Sequence, residues 1–187
     1  MDLPGFIEDG VLPPGDYQLT VGELRNSRLV LGPRMGAGLD RPTWDTNWRR
    51  KLVDNLEILV TQLRQVGITD VYIDGSFAED KDHPNDIDGY FVCDLKRFAT
   101  GDLERELNLL DPHKVWTWDP RFRRPYLGYD KLQLPMWHKY RVELYPHFGQ
   151  ISGIHDRFGN ELDFPSAFRL SRRSDTPKGI IRIGGLS

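Results

Sequence analysis

Asp86 and Asp88 stand two residues apart in Asp86-Ile87-Asp88, at the start of a β-favouring run that ends at Cys93. On a strand, residues i and i+2 share a face, so the two carboxylates project together while Ile87 turns toward a core. Adjacent like charges raise each other's pKa unless a cation lies between them. The pair is therefore a candidate seat for a hard divalent ion, Mg²⁺ or Mn²⁺, which prefers oxygen ligands. Upstream, Gly75-Ser76 closes another β-favouring run, Thr69 to Asp74. A missing side chain lets backbone N–H groups approach an anion there, and the serine hydroxyl can donate to a phosphate oxygen. Glu143, in the alternating segment Tyr140 to Tyr145, offers a further carboxylate. A phosphate seat beside a metal seat suits metal-assisted phosphoryl transfer, in which carboxylates hold ions on the triphosphate and on the attacking hydroxyl.

These residues need a sheet to hold them and a helix to back it. Between Trp48 and Val66, the residues Trp48, Leu52, Leu56, Leu59, Val60 and Leu63 recur at three- and four-residue spacing. With Asp45 or Thr46 as N-cap and Gly67 as stop, the pattern predicts a long amphipathic helix. Its polar residues Arg49, Arg50, Asp54, Glu57 and Arg64 are expected to form a solvated face. Strands are predicted over Thr69–Asp74 and Asp86–Cys93, as sheet neighbours joined by the polar connection 77–85 with a turn at Pro84-Asn85. A second helix spans Gly101–Leu110, closed by Asp111-Pro112, and a third strand spans Tyr140–Tyr145, ended by Pro146. Val115 to Met136 shows neither period and reads as extended and loop structure.

Residues 1–46 carry turn signals at Pro4-Gly5, Pro13-Pro14-Gly15 and Gly36-Ala37-Gly38, so an irregular arm with little helix is expected to wrap the core. That core is read as 47–146, followed by a basic C-terminal extension, 147–187, ending in the β-like Gly179–Ile183. The fold class is α+β, a single domain with a short mixed β-sheet flanked by helices.

Asp74-Gly75-Ser76, nine residues, Asp86-Ile87-Asp88 and a later carboxylate strand at Glu143 together resemble the signature of the DNA polymerase β-like nucleotidyltransferase superfamily. Over the whole chain there is also a resemblance to a group of small bacterial proteins of that fold. These carry Leu-Pro-Pro-Gly near the start, here Leu12 to Gly15, and Gly-Ser-Phe before Lys-x-x-Pro-x-Asp, here Gly75 to Phe77 and Lys81 to Asp86. The closing Pro177-Lys178-Gly179-Ile180 fits as well. The resemblance implies a nucleotidyltransferase-like fold, Mg²⁺ or Mn²⁺ as cofactor, an NTP (ATP first among them) as substrate, and a protein or RNA hydroxyl as acceptor. It assigns Gly75 and Ser76 to the triphosphate and Asp86, Asp88 and Glu143 to metal binding and catalysis. Glu143 stands where the superfamily often has Asp. Minimal members from toxin–antitoxin pairs carry an Arg soon after Gly-Ser. Here Glu79 and Asp80 hold that place, and Lys81 is the candidate substitute. With no evident RNA-binding domain, a protein acceptor is favoured, as in a toxin–antitoxin or defence setting.

Composition narrows the alternatives. A net charge of −3 gives no global attraction to phosphate backbones or anionic membranes, so any nucleic-acid contact must be local. One cysteine, no secretory pattern at Met1 and no run of about 18 apolar residues lead to the expectation of a cytoplasmic protein that does not span a membrane. Lys81 has the competing reading of a solvated loop lysine, and Glu143 that of an ion-pair partner for Arg141. Arg172, Arg173 and Lys178 either hold triphosphate, RNA or an acidic partner, or form a solvated segment. Trp116, Trp118, Tyr126, Tyr129 and Trp137 either stack a base or fill a core. Two functional rivals stand beside the enzyme: a catalytically silent binding module of the same fold, antitoxin-like, and an RNA-binding protein using the basic C-terminal segment.

Overall fold

The structure is a computed structural model and describes residues 3–33, 41–171 and 175–185. Its elements in chain order begin with β1 (Asp16–Leu19), α1 (Val21–Arg25), α2 (Arg28–Leu31), α3 (Thr46–Gln65), β2 (Val71–Asp74) and β3 (Ile87–Val92). They continue with α4 (Leu95–Ala99), α5 (Asp102–Leu110), α6 (Pro135–Tyr140) and β4 (Val142–His147). The series closes with β5 (Ile151–His155), β6 (Glu161–Asp163), α7 (Phe164–Phe168) and β7 (Ile180–Ile183). The architecture is α+β. Among the described residues, five strands form a mixed sheet in the order β1-β7-β2-β3-β4, and β5 and β6 form a separate two-stranded ribbon.

The Asp45 side chain caps α3 by accepting the Trp48 N–H, as the spacing predicts. Leu52, Val53, Leu56, Leu59, Val60 and Leu63 are fully buried, in one cluster with Ile73, Ile87, Phe91, Val142, Leu144 and Ile181 from the sheet. Strand alternation therefore gives one sheet face to this core and the other to Asp88, Tyr90, Glu143 and Tyr145. Gly89 belongs to the core-facing set, and a Cβ there would lie 2.3 Å from the Tyr72 carbonyl oxygen.

Several expectations need correction. The N-terminal arm is more regular than its turn signals suggest: Thr20 and Ser27 cap two short helices, and Leu12, Leu19, Leu24 and Leu29 enter the core. Gly36-Ala37-Gly38 lie outside the described residues. The C-terminal segment is no appendage, because β7 lies between β1 and β2, antiparallel to β2 and parallel to β1. The sheet thus draws on residues from both sides of 47–146. The helix α6 begins at the end of the stretch read as loop, sharing Pro135 and Met136 with it, and takes Tyr140 from the predicted third strand; Pro135 starts it at the first helical turn, where a missing N–H costs nothing. Finally, Pro146 lies within β4 instead of ending it. As β4 is an edge strand, a residue without an N–H is tolerated there.

Arg49 departs most from its expected place on a solvated helix face, being fully buried. Its guanidinium stacks over Trp44, 3.9 Å from the ring centroid. It donates to the carbonyls of Leu29 (2.6 Å), Phe77 (2.8 Å) and Lys81. Burial pulls its pKa down from the ordinary arginine value. A guanidinium with this many acceptors nonetheless stays charged. Arg49 thereby ties α2 and α3 to the connection that links β2 to β3.

Candidate functional site

The sheet register assembles the site. Asp74 at the end of β2 lies opposite Asp88 on β3, and Asp88 lies opposite Glu143 on β4. Paired residues of adjacent strands point to the same face, so three carboxylates form a row across three strands. Asp86 sits just ahead of β3. After Asp74 the chain turns through a 3-10 segment, Gly75–Ala78, whose Phe77 and Ala78 side chains are buried. Gly75 has φ +71°, and a Cβ there would meet the Asp88 Oδ2 at 2.6 Å. Only glycine serves both the turn and the closeness of the Asp88 carboxylate.

Asp74, Ser76, Asp86, Asp88 and Glu143 all line one cavity of about 570 Å³. Opposite them, Ile154, Phe164, Phe168 and Leu170 form an apolar wall, and Arg123 and Lys131 reach the same cavity. Of the residues singled out from sequence, Gly75, Ser76, Asp86, Asp88 and Glu143 are brought together. Lys81 does not line the cavity, though its charge acts on Asp86.

Each acid is held differently. Burial raises the Asp86 pKa, against a hydrogen bond donated by the Trp137 indole N–H at 2.6 Å. Glu143 is buried and accepts from the Leu134 N–H (3.1 Å) and the Tyr145 O–H (2.5 Å), with Arg123 3.9 Å away. The ion pair read for Arg141 does not describe it: Arg141 stacks on Trp137 and Tyr126, 3.8 Å and 4.2 Å from their ring centroids. Asp74 is buried beside Lys178, 2.8 Å from its Nζ, which also contacts Glu79 at 2.9 Å. Burial pushes the Asp74 carboxyl up to about 7 against the pull of Lys178. At Lys178 the balance is reversed: burial opposes the charge, but Asp74 and Glu79 outweigh it and raise the ammonium pKa.

Asp74 and Lys178 are thus parts of the site that the chemistry of Asp86 and Asp88 did not reveal. Asp74 could be found from its position directly before Gly75. Lys178 carries no local signal for a partner more than a hundred positions away. It is neither solvated nor free for a ligand. Two further basic residues of that segment are engaged within the fold, Arg169 with Asp16 and Arg182 with Asp70. Arg172 and Arg173 lie outside the described residues.

The donors suit a hard cation in kind, since Asp86, Asp88 and Ser76 offer only oxygens. Among the described residues, no group of three or more His, Cys, Asp and Glu side chains is gathered as a metal site, and both Glu143 oxygens are already engaged. The aspartate pair fits the ion, whereas Glu143 as third ligand would add the ion to the hydrogen bonds it already accepts from Leu134 and Tyr145.

Residues 4–184 match a family described only as a family of unknown function, DUF6932, and the chain belongs to that family. Neither a curated protein nor a solved structure matches it. No helix among the described residues is long and apolar enough to cross a membrane.

Proposed function

We propose that the chain has a nucleotidyltransferase-like fold and is a metal-dependent nucleotidyltransferase, moving a nucleoside monophosphate from an NTP to a protein or RNA hydroxyl. ATP is the first candidate donor. The observation that carries the reading is the cross-strand row Asp74, Asp88 and Glu143, open with Asp86 and Ser76 to a single cavity.

Asp86 and Asp88 would hold Mg²⁺ or Mn²⁺, which when bound supplies charge stabilisation to the phosphates. Ser76 would seat a phosphate oxygen, and the apolar wall at Ile154, Phe164 and Phe168 keeps water from the reacting atoms. The acceptor oxygen bonds to the α-phosphorus as the bond to the bridging oxygen breaks and pyrophosphate leaves. The proton of the hydroxyl passes to Glu143, whose Oε2 now accepts from Tyr145.

The test is incubation with each α-labelled NTP and Mg²⁺ or Mn²⁺, with total cell RNA and protein as acceptors. Wild type is expected to transfer label, and Asp86→Ala/Asp88→Ala to lose at least about a hundredfold, the order seen when a group stabilising transition-state charge is removed. A second reading, a silent binding module, draws on the engagement of Glu143 by Leu134 and Tyr145. Absence of both label transfer and metal-dependent NTP binding by calorimetry would favour that reading over the enzyme.

A further inference from the structure

The chain is acidic overall, yet residues 121–141 hold six Lys and Arg against one Asp, with Asp119 just outside pairing with the exposed Arg121. This segment lies between α5 and α6, turns back through the backbone pairing of Arg124 with Gln133, and runs into α6. It is also where apolar and aromatic side chains are left in solvent: Phe122 is 56% exposed, Tyr126 41% and Leu127 95%. A globular chain gains nothing in stability from such exposure, and the interleaved charge argues against a second apolar surface as the cover.

The geometry gives the patch a direction. Tyr126 meets the fully buried Trp137 edge to face, with ring centroids 5.1 Å apart, and Arg141 stacks on both rings, so the exposed Tyr126 forms a platform fixed in place. The indole N–H of Trp137 reaches Asp86, and Lys131 and Gln133 from the same turn line the candidate cavity. A polymer lying on the platform would therefore lead its end toward the carboxylates.

We infer that the 121–141 turn is the docking surface for a single-stranded polynucleotide, which is the acceptor of the transfer proposed above. Cations that follow a phosphate backbone, with aromatic faces between them for stacking, are the features that bind single strands without reading sequence. The inference rests on the nucleotidyltransferase reading for the word acceptor, but not for the binding itself. An acidic protein partner would use the charges and have no need of the rings.

The experiment uses the whole chain, no NTP and a 5′-fluorescein-labelled 12-nucleotide oligo(U), followed by anisotropy from 50 to 200 mM salt. Wild type is expected to bind with a steep salt dependence. For Arg121→Glu/Arg124→Glu, whose side chains do not line the cavity, the slope of log affinity on log salt should become shallower by about 1.4, from two contacts at about 0.7 each. Tyr126→Ala should weaken binding about five- to tenfold, the lower range for one stacked base. Circular dichroism and the thermal midpoint verify folding of each variant.

No binding by wild type would overturn the inference, as would binding that both variants leave unchanged. Equal affinity for poly-glutamate of matched charge, with no effect of Tyr126→Ala, would overturn it in favour of an acidic protein partner. Oligonucleotide binding that the variants reduce, without label transfer from any NTP, would uphold the surface and sink the enzymatic reading alone.

Discussion

Arg49 from α3 and Lys178 from just before β7 are both buried cations that contact the connection between β2 and β3, and the fold accommodates them in opposite ways. Arg49 is surrounded by backbone carbonyls and the face of Trp44, with no carboxylate among its hydrogen-bond partners. Lys178 contacts two carboxylates, Asp74 and Glu79. The first arrangement uses a charge to collect dipoles and fixes a loop. The second uses a charge to cancel charge, which lets Asp74 share a row with Asp88 and Glu143. Support for the backbone and tuning of the acidic face are thus assigned to different residues on opposite sides of one connection.

The contrast can be broken by substitution. Lys178→Met should be the more damaging change, leaving buried Asp74 and partly buried Glu79 without a counter-charge at a cost of about 3–5 kcal/mol in chemical denaturation. Adding Asp74→Asn to it should restore part of that loss. If the double variant is no more stable than the single one, charge cancellation is the wrong account of Lys178. Arg49→Lys should lose about 2–3 kcal/mol, because an ammonium cannot span the carbonyls of Leu29, Phe77 and Lys81, and each unmet buried acceptor costs about 1–3 kcal/mol. A silent Arg49→Lys would mean that charge, and not the fork of the guanidinium, is what the loop requires.

A third titratable group sharpens the comparison. Cys93 has no such set of partners, and burial pushes its thiol from 9.0 to about 11 against a weaker pull from Arg97. The folded chain then keeps a proton that the unfolded chain gives up, so stability from this group is present below pH 9.0 and declines toward about 11. Since Cys93 is only half-buried, solvent screening limits the decline to less than about 1 kcal/mol. Denaturation of wild type and Cys93→Ala between pH 8 and 10.5 should show the difference, together with slow iodoacetamide alkylation of the native chain. Fast alkylation at pH 8 would contradict a raised thiol.

Much of this was legible in the sequence where the signal is local. The three- and four-residue spacing from Trp48 gives α3 and the side it buries, and the i, i+2 relation places Asp88 on the face opposite Ile87. Glu143, chosen from an alternating segment, falls directly across from Asp88. What stayed hidden depends on partners distant in the chain. Arg49 is periodic with other polar residues, and only Trp44, α2 and the 77–81 carbonyls close over it. Lys178 resembles any lysine in a Pro- and Gly-rich segment until β7 is paired with β2. The helix α6 is too short for periodicity to reveal, and Pro146 reads as a stop unless its strand is known to lie at an edge.

The insertion of β7 between β1 and β2 has a consequence for the order of biosynthesis. A nascent chain emerging from the ribosome can form α3 and pair β2 with β3 early, but β1 has no partner until residues 180–183 emerge. Lys178 arrives with them, so Asp74 and Glu79 wait for their counter-charge over the same interval. The acidic face is therefore completed in the same step that closes the sheet, and a ribosome-bound chain stopped before that point would carry Asp74 and Glu79 without Lys178, on a β2 whose β7 side is still open.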